Sequence, residues 1–300
     1  MKLAAPVIPE REEFTKGVWT LLADLIKIRL TALVLITTTV GFYAGWSGPV
    51  DFLLLAHTVL GTALVASGAA ALNQLLERAP DALMRRTENR PLPSGRVQPD
   101  TVLLFGGICA AAGLIYLAIA VNLLTSVLGV LTLLSYLFVY TPLKRITSLN
   151  TVIGAIPGAL PPLMGWTAAH GEVSLAGWSL FLILFFWQLP HFLAIAWIYR
   201  EDYARGGFAM LPVLDPAGER TGRQAVSHTL GLLPISLAPS ILGLAGKAYF
   251  FGALALGLGF LWFVVQFSRR LSTSSARQLF FASIIYLPLL MILLVLDKLK

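Results

Sequence analysis

The sequence contains very little cysteine and very little charge. Its only cysteine, Cys109, cannot form an intrachain disulfide, and the sequence therefore excludes cysteine-based metal sites and disulfide scaffolds. Charged residues make up 12% of the 300 residues and hydrophobic residues 57%, which is typical of a polytopic membrane protein rather than a soluble domain. The net charge is +7, but no basic groove interleaved with aromatic residues is present. We therefore expect the lipid bilayer, and no nucleic acid, as a partner.

Long apolar runs follow one another along almost the whole chain. About 20 apolar residues are needed for each helical span. The runs lie near residues 28–46, 52–76, 101–121, 123–141, 150–168, 175–198, 227–245, 248–267 and 279–297. The sequence predicts an all-α protein with a single membrane domain over residues 1–300, in which nine transmembrane helices surround a central cavity. Residues 1–23 are expected to be an amphipathic lead on the membrane surface, with no secretory signal.

The basic residues are distributed unequally between the two sides of this nine-span arrangement. Of the 22 Lys and Arg residues, 19 fall on the side of the N-terminus and only Lys247, Lys298 and Lys300 fall on the other. Positive charge is retained on the cytoplasmic side of a membrane. The N-terminus and the basic loops are therefore predicted to be cytoplasmic, in a bacterial inner membrane.

A polar stretch of both signs, residues 73–97, lies between the second and third apolar runs. Asn73, Glu77 and Asp81 are spaced at i, i+4 and i+8, which places them on one face of a continuous helix at intervals of about 6 Å. Oxygen ligands of this kind suit Mg²⁺, which is usually held by one or two carboxylates together with substrate phosphates. This spacing predicts half of a metal-diphosphate site.

Pro80 interrupts that helix. Because proline removes a backbone donor, the membrane helix is predicted to end near Arg78, and Asp81 to open a short second helix with Pro80 at its first position. Arg86 and Arg90 are suited to phosphate oxygens. For the arginines alone a topological role is favoured. For Asn73 and Glu77 a functional role is favoured, because polar groups at a membrane helix end are costly.

Two further stretches combine polar residues with helix breakers. Residues 140–150 place donors at the cytoplasmic mouth, and the following helix contains three glycines and three prolines, so it is predicted to be an irregular pocket wall. The sixth run carries Trp187 and His191 on one face. A lone histidine in an apolar helix is more often structural, although an ionisable group inside a span is a functional candidate. Lys27 and Arg29 precede the first span, where extension to the interface is favoured over diphosphate binding.

These motifs together resemble those of the intramembrane aromatic prenyltransferases, the UbiA superfamily. The first stretch resembles N-x-x-x-D/E-x-x-x-D-x-x-M-x-R-T-x-x-R-P-L/I-P, a form found in the haem-specific branch of that superfamily. The segment YTPLKRITSLNTVIGAIPGALPP resembles a second motif, and WQLPHF with REDYARGGFAM a third. The resemblance extends over roughly residues 20 to 295. Two departures occur: the family's usual K-P-R reads Lys27-Ile28-Arg29 here, without the proline, and where the wider superfamily has D-x-x-x-D this sequence has Asp202 beside Glu201 and no acidic residue four positions later.

The resemblance implies roles for individual residues. Asn73, Glu77, Asp81 and Asp202 are implied as the catalytic, Mg²⁺-binding residues. A second group is implied to bind diphosphate, and consists of Arg86, Arg90, Lys144, Arg145 and Asn150. For Lys144 and Arg145, ordinary positive-inside bias is the alternative. Trp187 and His191 are implied as haem-pocket residues, with the iron ligand left open.

The activity implied by the resemblance is transfer of the farnesyl group of farnesyl diphosphate to a vinyl group of haem B, which gives haem O. Haem A synthase or the terminal oxidase assembly is implied as a protein partner. Two alternatives stay open from the residues themselves: prenyl transfer to an aromatic quinone precursor, and a small-solute transporter, since interrupted helices and basic loops also occur in transporters.

Overall fold

The computed structural model describes the backbone of residues 11–299 and the side chains of residues 17–299. Residues 1–10 of the predicted lead, and Lys2 and Lys300 of the orientation count, lie outside the described residues. The helices are α1 (Arg11–Leu25), α2 (Ile28–Gly45), α3 (Phe52–Leu76), α4 (Arg78–Asp81), α5 (Pro99–Ala120), α6 (Leu123–Leu134), α7 (Thr141–Leu143), α8 (Asn150–His170), α9 (Leu175–Ile198), α10 (Arg200–Arg205), α11 (Leu211–Leu214), α12 (Glu219–Ile241), α13 (Lys247–Arg270) and α14 (Thr273–Leu296).

Eight helical segments in the described part of the chain are long and apolar enough to cross a membrane. They confirm eight of the predicted runs, with bounds that differ by a few residues. The ninth predicted run, 227–245, corresponds to α12, which begins earlier, at Glu219, and packs against α9 and α13. This helix is not among the eight, because its first turns carry Glu219, Arg220 and Arg223, so the described residues contain eight apolar spans rather than the nine predicted. The all-α polytopic fold is confirmed.

A π-helical segment, Ser135–Tyr140, joins α6 to α7. The hydroxyl of Thr141 donates a hydrogen bond to the carbonyl oxygen of Tyr136 at 2.8 Å, which satisfies a backbone acceptor in the widened turn. Single π turns inside helices occur often at functional sites. Here the segment carries Tyr136 and Tyr140, whose rings are stacked with centroids 5.7 Å apart, towards the middle of the bundle.

Close packing of α2 against α8 depends on glycine. A Cβ atom at Gly41 would collide with the backbone of Pro162, and one at Gly165 would collide with the backbone of Thr38. Small residues allow helix backbones to approach closely in lipid. The proline-containing α8 is accordingly among the most buried spans, and it is one continuous helix from Asn150 to His170 with its three prolines inside it.

The two ends of the bundle differ in composition. We call the end that contains residues 73–98, 143–149 and 199–218 the polar end, and the end that contains residues 46–51 and 297–299 the opposite end. The lead helix α1 is attached at the polar end, because the side-chain amide of Gln74 donates to the carbonyl oxygens of Asp24 (3.0 Å) and Leu25 (2.8 Å). This contact places the start of α2 beside the end of α3.

Candidate active site

The last turn of α3 begins a cluster of buried polar groups at the polar end. Asn73 is fully buried, and its amide nitrogen donates to the hydroxyl of Thr141 at 3.0 Å. Its carbonyl oxygen accepts a hydrogen bond from Nζ of Lys27 at 2.7 Å. Lys27 has left-handed backbone angles (φ 49°, ψ 56°) at the junction of α1 and α2. Three segments far apart in the sequence therefore meet at one amide.

Lys27 itself is turned inwards. Burial lowers the pKa of Lys27 to about 7, and the positive charge of Arg90 acts in the same direction, against a smaller opposite effect of Glu77. The favoured expectation that Lys27 extends to the membrane interface is therefore wrong. Its neighbour Arg29 is exposed, as expected of a side chain that reaches the interface. The sequence thus predicted the wrong location for the Lys27 side chain, which lies beside Asn73.

Glu77 follows α3 directly and is buried in an ion pair. Its Oε1 atom lies 2.7 Å from Nζ of Lys144, and both side chains are largely shielded, with exposed fractions of 7% and 13%. Burial alone would raise the pKa of Glu77, but Lys144 and Lys27 outweigh it and lower the pKa. For Lys144, burial acts to lower the pKa, whereas Tyr140 and Glu77 raise it, and the net direction is upward. Both groups therefore remain charged.

Asp81 is the last residue of α4 and is buried with an exposed fraction of 1%. Its Oδ2 atom lies 2.6 Å from Nη1 of Arg90, and its carbonyl oxygen accepts from the hydroxyl of Thr87 at 2.8 Å. The predicted position of Pro80 is wrong: Pro80 is the third residue of α4, and Asp81 closes this helix rather than opening one. The single turn folds the chain back so that Arg90 reaches Asp81.

Asp202, in α10, lies in a second polar segment that contacts the first. Its Oδ1 atom pairs with the guanidinium of Arg205, and its Oδ2 atom accepts from the backbone N–H of Arg86 at 3.3 Å. The guanidinium of Arg86 also lies 3.3 Å from the hydroxyl of Tyr203 and over the rings of Tyr199 and Tyr203. Arg86 therefore connects the segment after α3 to the segment after α9.

The connection from α7 to α8 brings the two polar segments together. The carbonyl oxygen of Lys144 accepts from the backbone N–H of Ala209 at 2.7 Å. Asn150 is fully buried, and its amide nitrogen donates to the carbonyl oxygens of Thr147 (2.6 Å) and Ala209 (3.1 Å). Asn150 thus connects the backbone before α8 to the backbone that follows α10. Arg145 is exposed, and its side chain contacts none of the acidic residues within residues 17–299.

An apolar cavity of about 290 Å³ lies among α2, α3, α8 and α9. Lining residues of the π segment and α8 include Tyr136, Tyr140, Gly154 and Gly158. A Cβ at Gly154 would collide with the ring of Tyr140, and one at Gly158 would collide with the amide of Gln188, so both glycines make room for larger groups. Mostly apolar concave cavities with a few polar groups are the usual form of ligand sites.

Tyr140 joins this cavity to the polar cluster. Its ring lines the cavity, and Nζ of Lys144 lies 4.5 Å from the centroid of the same ring. The favourable interaction of an ammonium with an aromatic face holds Lys144 at the end of the cavity. The charged groups and the apolar space are therefore continuous.

Trp187 and His191 both line the cavity, from α9. Their rings are stacked with centroids 4.9 Å apart and an interplanar angle of 19°. The indole N–H of Trp187 donates to the carbonyl oxygen of Ser283 at 2.9 Å, and Nδ1 of His191 lies 2.7 Å from the hydroxyl oxygen of Ser283. The structure places these two predicted residues together. Ser283, in α14, was not identified from the sequence, because a serine in an apolar helix carries no motif.

The chemistry of the donor set agrees with a magnesium ion, since Asn73, Glu77, Asp81 and Asp202 all supply oxygen atoms. Each of the three carboxylates is paired with a basic side chain, and within residues 17–299 no three acidic, histidine or cysteine side chains are grouped closely enough to hold a metal. The type of ligand therefore fits Mg²⁺, whereas in this structure the three carboxylates lie in three separate ion pairs.

Comparison with known proteins gives two kinds of likeness in sequence. A family model described as the UbiA prenyltransferase family matches residues 34–285. A protein of Solibacter usitatus, named protoheme IX farnesyltransferase, is 47% identical over 284 residues, which cover 92% of this chain and 97% of that protein.

Solved structures with the same fold are more distant in sequence. A structure concerning digeranylgeranylglyceryl phosphate synthase in membranes has a TM-score of 0.79 at 16% identity and covers 93% of this chain and 98% of that one. A UbiA homolog from Archaeoglobus fulgidus, bound to GPP and Mg²⁺, has a TM-score of 0.66 at 15% identity, with coverage of 91% and 99%. At these identities the likeness shows the shared fold.

Proposed function

This chain belongs to the UbiA prenyltransferase family, and on that basis we propose that it is a protohaem IX farnesyltransferase, which transfers the farnesyl group of farnesyl diphosphate to a vinyl group of haem B to make haem O. The name of the Solibacter relative, at 47% identity over nearly the full length of both chains, supports this acceptor and this prenyl group. Farnesyl diphosphate and haem B are the two substrates that the site has to accept.

One observation in the structure carries the proposal: a charged cluster closes one end of an aromatic-lined cavity, and Tyr140 contacts both. A prenyl diphosphate has the same two-part character, with an anionic head and an apolar chain. The head group fits the cluster, in which five basic side chains accompany three carboxylates. The prenyl chain fits the cavity. The basic members are Lys27, Arg86, Arg90, Lys144 and Arg205.

The ion pairs of the cluster suggest how the head group is bound. Lys144 and Arg90 are held by Glu77 and Asp81, so their charges are in place before a substrate arrives. A diphosphate competes for these cations and leaves the carboxylates free for a divalent cation. The charges stay balanced throughout this exchange, which limits the desolvation cost of a buried charged site.

The metal proposed for this site is Mg²⁺, held by Asn73, Glu77, Asp81 and Asp202. When bound, Mg²⁺ supplies positive charge that stabilises the departing diphosphate. The same fold binds Mg²⁺ together with GPP in the Archaeoglobus fulgidus homolog. In this chain Arg86, Arg90 and Lys144 supply the remaining stabilisation of the leaving group. Arg145 adds positive charge nearby, and Asn150 supports the site by hydrogen bonds to the backbone of residues 147 and 209.

Departure of diphosphate leaves an allylic cation at the end of the cavity nearest Lys144. The terminal vinyl carbon of haem B forms a carbon–carbon bond with this cation, which leaves a carbocation beside the porphyrin ring. Water adds there and loses a proton to give the hydroxyl group. Tyr136 and Tyr140 line the cavity, and the π faces of aromatic rings stabilise a nearby positive charge. The apolar lining excludes water until the prenyl group has been transferred.

We further propose that the polar end faces the cytoplasm of a bacterial inner membrane. The excess of Lys and Arg on this side supports that orientation. Both substrates would then enter from the cytoplasmic face or laterally from the lipid.

The test is extraction of haem from membranes that express this chain, followed by chromatography and mass measurement. Wild-type protein should give haem O, and the double variant Glu77→Ala, Asp81→Ala should give haem B alone at equal protein level. Glu88→Ala is the matched control, because Glu88 lies in the same polar stretch but is exposed and unpaired within residues 17–299. It should retain wild-type activity. Haem O from the double variant, or none from the wild type, contradicts the proposal.

A quinone precursor as acceptor, and a transporter, make different predictions in the same membranes. Prenyl transfer to an added hydroxybenzoate or naphthoate, without any haem O, would indicate the first. The transporter hypothesis expects ionisable groups near the middle of the spans. In the structure the charged cluster lies at one end, which favours the enzyme.

A further inference from the structure

The ring of His191 is held on three sides. One face stacks on Trp187, as described above, and the other stacks on Phe280, with centroids 5.2 Å apart and an interplanar angle of 25°. One edge is held by Ser283, whose hydroxyl oxygen lies 2.7 Å from Nδ1. The plane of the imidazole and the direction of its remaining edge are therefore set by its neighbours.

The hydrogen bonds of Ser283 decide which nitrogen of His191 carries the proton. The hydroxyl oxygen of Ser283 also lies 2.6 Å from the carbonyl oxygen of Phe280, and a carbonyl can only accept. A serine hydroxyl has one hydrogen, and it is used in this bond. The contact with His191 must then be donated by the ring, from Nδ1–H. The neutral imidazole consequently carries its lone pair on Nε2.

Nε2 is directed into the cavity. His191 lines the cavity, whereas Ser283 and Phe280 do not. Nε2 forms no hydrogen bond with any side chain or backbone atom of residues 17–299. It is also not one of the fully buried polar atoms without a partner in this part of the chain. It is therefore accessible to a ligand, and the cavity is a space that His191 borders.

Ser283 is well placed for a supporting role. It is fully buried in α14, and its backbone carbonyl accepts the indole N–H of Trp187 at 2.9 Å. One residue thus orients two aromatic members of the cavity wall, Trp187 and His191. Its own position is set by α14 and does not depend on a ligand.

We propose that Ser283 is a positioning residue that fixes His191 in the Nδ1–H tautomer and thereby presents Nε2 as a ligand to the iron of haem B. This inference rests on the proposed function, since it takes haem B as the acceptor. Histidines that bind metals almost always donate their other N–H to an oxygen acceptor, which sets the tautomer and the ring orientation. The Ser283 hydroxyl supplies that acceptor here, and ligation would hold the porphyrin within reach of the prenyl chain.

The experiment compares two porphyrins that differ in the iron. The purified full-length protein in detergent is titrated with haem B and with metal-free protoporphyrin IX, and binding is followed by absorption and fluorescence. The ratio of the two affinities isolates the contribution of the bond between Nε2 and iron. We expect wild-type protein to bind haem B more tightly than protoporphyrin, and Ser283→Ala to reduce this ratio about 10-fold.

Ser179→Ala is the matched control. Ser179 is a buried serine of α9, the helix that carries His191, and within residues 17–299 its hydroxyl donates to the carbonyl oxygen of Ala176 alone, at 2.6 Å. This variant should keep the wild-type ratio. A second measurement does not depend on Ser283 variants folding: added imidazole should restore the ligand-dependent Soret band of haem B in His191→Gly, and should have no such effect on wild-type protein.

Each result distinguishes this inference from the proposed function. An unchanged ratio in Ser283→Ala rules out the positioning role. Equal affinity of wild-type protein for the two porphyrins rules out iron ligation by Nε2, while formation of haem O in membranes would still support the proposed function. Binding of neither porphyrin, together with no haem O, overturns both.

Discussion

A lysine lies just beyond a transmembrane segment at each end of the bundle. Both lysines lie over a tyrosine ring, but their hydrogen-bond partners differ in charge. Nζ of Lys144, at the polar end, lies 4.5 Å from the ring centroid of Tyr140, and Nζ of Lys298, at the opposite end, lies 4.8 Å from that of Tyr43. Lys144 pairs with the carboxylate of Glu77. Lys298 donates to the carbonyl oxygens of Tyr43, at 2.6 Å, and Trp46.

The partners explain the difference. Carbonyl oxygens at the end of α2 are uncharged and need donors, so Lys298 completes a helix end and attaches the last residues to α2. Burial lowers the pKa of Lys298, which forms no ion pair within residues 17–299. Under the proposed function, the carboxylate beside Lys144 is given up to a metal while the lysine moves to a phosphate. On that proposal the polar end contains exchangeable pairs, and the opposite end contains permanent ones.

The largest effect is expected at Glu77. Glu77→Gln should lower the rate of haem O formation by about 100-fold or more, because a charged ligand is lost from the diphosphate site. It should also destabilise the fold by about 3–5 kcal/mol, since Lys144 is left buried and unpaired. The rate is measured by chromatography of haem, and stability by thermal unfolding in detergent.

The double variant Glu77→Gln, Lys144→Met separates these two effects. Replacing a buried ion pair by uncharged groups is often neutral for stability. We expect the double variant to regain stability but not activity. Recovery of activity with stability would mean that Glu77 serves the fold alone, and the contrast between the two ends would disappear.

A smaller effect is expected at Lys27. Lys27→Met should raise the KM for farnesyl diphosphate about 10-fold with little change in kcat, because a cation that reaches the head group is lost. Arg29→Met is the matched control, since Arg29 is two residues away and exposed. Equal KM values for the two variants would indicate that Lys27 serves only the fold, through its hydrogen bond to Asn73.

Arg86 tests the link between the two polar segments. Arg86→Gln removes the guanidinium that contacts Tyr199 and Tyr203, and should raise the KM for farnesyl diphosphate by a smaller factor, about 3- to 10-fold. Arg85→Gln should have no effect, because Arg85 is exposed and forms no ion pair within residues 17–299. If the Arg85 variant is affected equally, the loop contributes only general positive charge.

Apolar periodicity was sufficient to predict most of the fold. The predicted span 52–76 coincides with α3, and 28–46 differs from α2 by one residue, because the ends of these runs coincide with polar or turn residues. The start of α12 was predicted eight residues too late, because its first two turns are polar. The turn after α3 was misplaced because the position of Pro80 depends on how Arg90 folds back onto Asp81.

The site was predictable only in part. The spacing of Asn73, Glu77 and Asp81 predicted a polar site at the end of α3, and the structure brings Lys144 to it. The inward turn of Lys27 was not predictable, because it depends on Asn73, 46 residues away. Ser283 lies 92 residues from His191 and has no sequence signal of its own. Long-range contacts of single polar side chains are the part that local patterns do not contain.

The smallest effect is expected at the opposite end. Lys298→Met should leave haem O formation unchanged and lower stability by about 1 kcal/mol or less, because the lysine is partly solvent-exposed and water can replace some of its bonds. Thermal unfolding in detergent should show a decrease of a few degrees at most. Lys247→Met is the control, since Lys247 begins α13 at the same end and, within residues 17–299, its side chain forms no hydrogen bond to α2 like those of Lys298. A loss of activity in Lys298→Met exceeding its loss of stability would show that the opposite end also takes part in catalysis, and the division between exchangeable and permanent pairs would then be wrong.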